Sequence, residues 1–160
     1  MHKEILSENQ RKLLPLLGKF SREYYLAGGT AIALHIGHRR SIDFDLFKFS
    51  SLNHKRIIDK IAALRMPYEI TRRVAGQMNV TVNSVNLTFL EYPYPVTATC
   101  KFENVFKMPE LINLAAMKAY ALGRRSKWKD YVDLYYILKD FFSIGEISGR
   151  ATEIYGQLFS

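Results

Sequence analysis

Residues 27–47 read AGGTAIALHIGHRRSIDFDLF, and this stretch leaves the chain few ways to fold. Its end, continued as SIDFDLFKF, alternates with period two and reads as a strand. TAIALHIG reads as a short apolar helix stopped by Gly37. The pair Gly28–Gly29 halts a short strand expected from Glu23 to Ala27. On a strand, side chains at i and i+2 share a face, so Asp43 and Asp45 project together while Ile42, Phe44 and Leu46 turn to the core. Neighbouring carboxylates repel, and partly burying them is costly unless a cation compensates. Magnesium suits such a pair because it takes a few carboxylates, water and phosphate oxygens. Two exposed acids on a solvated strand edge would give the same pattern, and the D-x-D spacing alone does not separate the two.

The GGT upstream bears on that choice. Glycines between a strand and a helix let a phosphate approach the backbone, the helix start offers free N–H groups, and Thr30 adds a hydroxyl. A tight strand-to-helix turn would need glycine as well. GGT followed by D-x-D on the next strand sets a phosphate cradle beside a metal site.

The remaining chain reads as alternating elements without repeats or linkers. Ser7 and Gln10 fit a capping box on a first helix that ends near Gly18 and is interrupted by Pro15. NHKRIIDKIAALR is amphipathic, with Ile57, Ile58, Ile61 and Leu64 on its inner face. YEITRRVA, QMNVTVN and VNLTFLEY read as three strands, turned at Gly76-Gln77 and Asn83-Ser84 and ended by Pro93 and Pro95. A connection through KFENVF leads to the helices MPELINLAAMKAYALG and SKWKDYVDLYYILKDFF, the second carrying Val132, Leu134, Tyr135 and Leu138. A last short helix is expected from Ile147 to Leu158. This order specifies an α/β (α+β) plan: a mixed sheet of about five strands, the Asp43–Asp45 strand central, flanking helices and a helical C-terminal portion. One domain is expected over residues 1–160, with its α/β core at roughly 20–100 and the helical portion at 105–160.

Composition narrows the setting. No run of eighteen apolar residues is present, which argues against a membrane helix. The N-terminus has scattered charges and no apolar signal region, and Cys100 is the sole cysteine, so a cytoplasmic protein without a disulfide framework or structural zinc is expected. The net charge of +8 favours a polyanionic partner such as nucleic acid, a nucleotide or an acidic protein.

Strand, glycine pair, apolar helix, then D-x-D on the next strand resembles the signature of the DNA polymerase β-like nucleotidyltransferase superfamily. AGGTAIALHIGHRRSIDFDLF is more specifically similar to the first motif of the AbiEii/AbiGii nucleotidyltransferase toxins, with Arg39, Ser41, Asp43 and Asp45 in an Arg-x-Ser-x-Asp-x-Asp series. MKAYALGRRSKWKDYVDLYYIL resembles the distal motif, in which Lys118, Lys129, Asp130 and Asp133 fill the lysine and Lys/Arg-Asp-x-x-Asp places. Read without the resemblance, Lys118 is equally a lysine snorkelling from a core helix, and Asp130 and Asp133 equally suit a helix start. Arg124, Arg125, Lys127 and Lys129 form a basic run that either sits in solvent or holds nucleic-acid phosphates.

The resemblance implies a polymerase β-like fold and a magnesium-dependent enzyme, with manganese as an alternative metal. It would move a nucleoside monophosphate from a nucleoside triphosphate (NTP) to an acceptor, with tRNA or another RNA as the acceptor class. The setting implied is a type IV toxin–antitoxin system with a cognate antitoxin. Asp43 and Asp45 would hold the metal; Gly28, Gly29 and Thr30 would cradle phosphates, with Arg39 and Ser41 beside them. Lys118 would neutralise the triphosphate, and Asp130 would activate or position the acceptor hydroxyl. One departure stands out: Asn86 falls where the superfamily often has a third carboxylate, and Glu91 has the wrong parity to replace it. That leaves one-metal catalysis, Asp130 as base, or a weakened enzyme. The competing functions are a nucleotide- or RNA-binding module with a decayed site, and a phosphotransferase using the same pocket.

Overall fold

The computed structural model describes residues 1–125 and 127–160. Ser126, at the start of the segment read as the second long helix, lies outside them. The helices are α1 (Glu8–Lys12), α2 (Leu14–Gly18), α3 (Gly28–Ile36), α4 (His54–Ala62), α5 (Leu111–Leu122), α6 (Trp128–Asp140) and α7 (Ile144–Tyr155). The strands are β1 (Tyr25–Ala27), β2 (Phe44–Lys48), β3 (Tyr68–Val74), β4 (Gln77–Val82), β5 (Val85–Glu91), β6 (Cys100–Phe102) and β7 (Phe106–Met108).

Five strands form one mixed sheet in the order β1-β2-β5-β4-β3, in which only the β2–β5 pairing is parallel. The central strand is therefore β5, and the strand bearing Asp45 is its neighbour rather than the centre. Asn83 and Ser84 both take positive φ, the signature of the tight β4–β5 hairpin. The β3–β4 turn is Ala75–Gly76, one residue earlier than the sequence suggests, and Gln77 already belongs to β4.

Period-two alternation splits the sheet into two faces. Met78, Val80 and Val82 on β4, Val85, Leu87 and Phe89 on β5, and Phe44 and Leu46 on β2 are all buried. They pack in one core with Ile57 and Ile61 of α4 and with Leu13, Leu16, Leu17 and Phe20 near the N-terminus. Each such large side chain contributes about 1.5–3 kcal/mol of apolar burial. The opposite face carries Asp45, Phe47, Thr88, Leu90, Gln77 and Asn79, and it lines a cleft. Helix α5 closes over that side, packed against α3, α6 and α7.

Two local expectations need correction, while the break at Pro15 falls where the sequence places it. β2 begins at Phe44, so Asp43 precedes the strand and Ile42 is exposed rather than in the core. The connection through KFENVF is a separate hairpin, β6–β7, whose Phe102 and Phe106 rings stack with centroids 5.1 Å apart. Pro15 separates α1 from α2 at the start of the second helix, where its missing N–H costs nothing. Among the described residues no helix is long and apolar enough to cross a membrane.

Candidate active site

The cleft encloses about 820 Å³, within the range of small-molecule sites. It gathers residues from both ends of the chain: Gly28, Gly29, Thr30, Arg39, Ser41, Asp43 and Asp45 from one, and Lys118 and Asp130 from the other. Asn86 also lines it. Sheet register explains the floor. Asp45 pairs with Ala27 on one side and Thr88 on the other, and Thr88 pairs with Asn79. Phe47, Leu90 and Gln77 form the next row. Asn86 precedes Leu87, the partner of Phe44, and so comes level with Asp43.

The glycines serve the acids directly. Gly28 has φ +70°, and a Cβ there would overlap Asp45 Oδ2. A Cβ at Gly29 would overlap the Arg39 guanidinium, close to Asp133. No side chain caps the start of α3, which leaves its first N–H groups facing the cleft end of the helix.

Thr30 and Ser41 differ from their expected use. Both are buried; their hydroxyls lie 2.6 Å apart, and the Thr30 hydroxyl donates to the Asp43 carbonyl. Gln10 Nε2 donates to the same carbonyl at 3.2 Å, while its Oε1 accepts from Ser7 N–H in the α1 capping box. The two hydroxyls and the buried amide thus pin the Asp43 backbone, and the Thr30 side chain is not a free phosphate donor.

Lys118, Asp130 and Arg39 also need revision. Lys118 Nζ lies 2.9 Å from Asp130 and 3.0 Å from Asp133. Arg39 donates two hydrogen bonds to Asp133, at 2.7 and 3.0 Å, and His38 Nε2 lies 2.5 Å from the same carboxylate. Asp133 is fully buried and is therefore the hub between the first motif, α5 and α6. Burial opposes its ionisation, but the His38 and Arg39 hydrogen bonds and the Lys118 charge override that and hold its pKa far below the usual carboxylate value. Burial likewise opposes ionisation of Asp130, and hydrogen bonds and charge from Lys118 and Arg125 outweigh it, leaving the pKa lowered. A carboxylate whose pKa is lowered is a weaker proton acceptor. The expected base role of Asp130 gives way to positioning Lys118 and Arg125, and Lys118 and Arg39 are cations already committed to the protein's own acids.

Asp43 and Asp45 stand apart from this neutralised network. Among the described residues neither carboxylate makes an ion pair or hydrogen bond with a protein group. Burial, reinforced by Asp43 and only partly offset by Lys118, pushes the Asp45 pKa up to about 6. Two neighbouring carboxylates without a protein cation bonded to either fit a hard divalent cation. Among the described residues no group of three or more His, Cys, Asp or Glu side chains is arranged to hold a metal, so these two acids would be the carboxylate donors.

Sequence reasoning missed much of the supporting structure. His38 and Gln10 carry no motif of their own, although Gln10 is visible as a capping residue. Phe47, Tyr92 and Tyr120 give the cleft an aromatic wall. The Tyr120 ring stacks on Tyr155 at 3.9 Å, and Arg124 lies over Tyr120 at 4.5 Å. The tyrosines around YPYP were the available signal.

The chain is similar to several known proteins. Residues 16–74 match the model of a family described as nucleotidyl transferase AbiEii toxin, type IV TA system. An uncharacterised protein of Aquifex aeolicus is 31% identical over 144 residues, covering 84% of this chain and 68% of that protein. The crystal structure of JHP933 from Helicobacter pylori superposes with a TM-score of 0.67 at 18% identity, covering 92% of this chain and 75% of the other. MenT4, a nucleotidyltransferase toxin from Mycobacterium tuberculosis, gives a TM-score of 0.59 at 15% identity, covering 89% and 61%.

Proposed function

The chain belongs to the AbiEii family of nucleotidyltransferase toxins, with a polymerase β-like fold, and from that premise we propose that it moves a nucleoside monophosphate from a magnesium-bound NTP to an RNA acceptor. The observation that carries the reading is the division between Asp43 and Asp45 in the cleft and Asp130 and the buried Asp133 beside it. Asp130 and Asp133 are neutralised by Lys118, Arg39 and Arg125, whereas among the described residues Asp43 and Asp45 form no ion pair. An arrangement built only for stability would leave no such pair beside a helix start.

When bound between Asp43 and Asp45, magnesium would neutralise phosphate charge as it develops at the reacting α-phosphorus. Gly28 and Gly29 give the triphosphate access to backbone N–H groups at the start of α3. The Thr30–Ser41–Gln10 bonds fix the Asp43 backbone, so the carboxylate need not reorganise when the substrate enters. Lys118 and Arg125, oriented by Asp130, add positive potential along the cleft. Phe47, Tyr92 and Tyr120 offer apolar faces for the nucleoside. The acceptor hydroxyl attacks the α-phosphorus and pyrophosphate leaves. A cognate antitoxin and a tRNA acceptor belong to the same proposal; the net charge of +8 supports a polyanionic acceptor.

The test uses total cellular RNA and each of the four NTPs, labelled at the α or the γ position. Label from the α position should appear on RNA, require magnesium or manganese, and vanish in the Asp43→Asn, Asp45→Asn double variant. Label from γ alone would mean phosphotransfer. Nucleotide binding without any label would mean a binding module, the outcome to which Asn86 points.

A further inference from the structure

The outer face of α6 carries a stripe of exposed apolar side chains. Trp128, Tyr131, Tyr135 and Leu138 are 68%, 55%, 59% and 41% exposed, and their i, i+3, i+7 spacing puts them in one stripe along the helix. Helix α6 already has a buried face, made by Asp130, Asp133, Leu134 and Ile137. The stripe therefore has no partner within the chain. Large aromatic rings left in water beside one another call for an occupant.

Charge narrows the choice of occupant. Exposed Lys127, Lys129 and Lys139 flank the stripe, with the Lys129 ammonium 5.9 Å from the centre of the Trp128 ring. No acidic residue interrupts the stripe between Trp128 and Leu138: Asp130 and Asp133 both point inward and are buried. The stripe is also continuous with the cleft, because Trp128, Lys127 and Lys129 line its mouth together with Arg124 and Arg125. Aromatic rings alternating with cations form the combination that holds single-stranded nucleic acid, with rings stacking bases and cations following phosphates. A protein partner would be served by the apolar rings but would have less use for the surrounding lysines.

We propose that the Trp128–Tyr131–Tyr135 face of α6 is a stacking track for a single-stranded RNA segment that leads into the cleft. This inference rests on the reading of the cleft as a site that modifies RNA, and it adds the surface that delivers the acceptor.

Trp128 is the only tryptophan of the chain, so it reports on its own face. The probe is a single-stranded RNA oligomer of about ten nucleotides, titrated into the Asp43→Asn, Asp45→Asn protein so that no chemistry intervenes. Stacking should quench Trp128 emission as RNA binds. Tyr131→Ala and Tyr135→Ala should each weaken binding by about tenfold, whereas Tyr131→Phe and Tyr135→Phe, which keep the rings, should bind as the parent does. Both tyrosines are exposed and outside the cleft, so the melting temperature should be unchanged and serves as the folding control. Heparin, a polyanion without bases, should bind without comparable quenching. Binding that leaves Trp128 unquenched, or that ignores the two alanine substitutions, overturns the proposal. So does concentration-dependent self-association abolished by those substitutions without any effect on RNA, which would mark a protein interface. If labelled nucleotide reaches RNA but the track variants are silent, the track fails and the enzyme reading stands. If quenching and tyrosine dependence appear without transfer by the parent, the track stands and the enzyme reading fails.

Discussion

Gly28 holds φ +70°, and a methyl group there would overlap the Asp45 carboxylate. Gly28→Ala therefore combines backbone strain with displacement of the Asp45 side chain. We expect a loss of about 1–3 kcal/mol in stability and loss of nucleotidyl transfer, read by denaturant unfolding and by labelled product. Asp45→Asn should separate those two effects. It keeps the side-chain shape, removes a charge that burial opposes, and ends the repulsion with Asp43. Transfer should fall on the order of a thousandfold while the melting temperature holds or rises, as when a strained functional site is neutralised. Asn86→Asp probes the neighbouring place on β5. A third carboxylate level with Asp43 should raise the rate and sharpen the magnesium dependence if the site can use a second metal. An unchanged or lower rate in a magnesium titration would identify a one-metal site.

At the scale of elements, Asp133 joins α6 to α5 through Lys118 and to the segment after α3 through His38 and Arg39. Asp133→Asn would leave buried cations short of their counter-charge, and breaking such a network costs about 3–5 kcal/mol. The same carboxylate gives the fold a pH signature. Its pKa is lowered on folding from an ordinary value of 3.8, so its stabilising contribution is fully present above that value and is lost as pH falls toward the folded-state pKa. Chemical denaturation from pH 6 to about pH 2 should show an acid limb that is much reduced in Asp133→Asn. The elements that sequence patterning identified well were those with strong periodicity or clear punctuation. The alternation of β4 and β5, the capping box at Ser7 and the Gly37 stop all appear where the residues suggest. The β6–β7 hairpin escaped notice because each strand has three residues, too few for alternation to register. Side-chain roles were harder still. Lys118 and Arg39 are recognisable as cations near a site, but the carboxylate each one binds is fixed by tertiary packing across α3, α5 and α6.

Across the whole molecule, the legible part was the pairing of two distant motifs, and the obscure part was the direction of charge flow between them. Lys118 is expected from the sequence to neutralise the triphosphate, yet its ammonium is bound by Asp130 and Asp133 on the adjoining helix. The hub bonds of Asp133 link positions 94 and 95 residues apart. Synthesis runs from the N-terminus, so a ribosome completes the glycine pair and both D-x-D acids long before it makes the helix that fastens the first motif. A nascent chain halted before Trp128 would carry the first motif with Arg39 and His38 lacking their anchor. Ribosome-bound chains stalled at that point should transfer no label, whereas chains extended past α7 and clear of the exit tunnel should. This geometry acts as a delay: the first motif is fastened only after α6 has emerged.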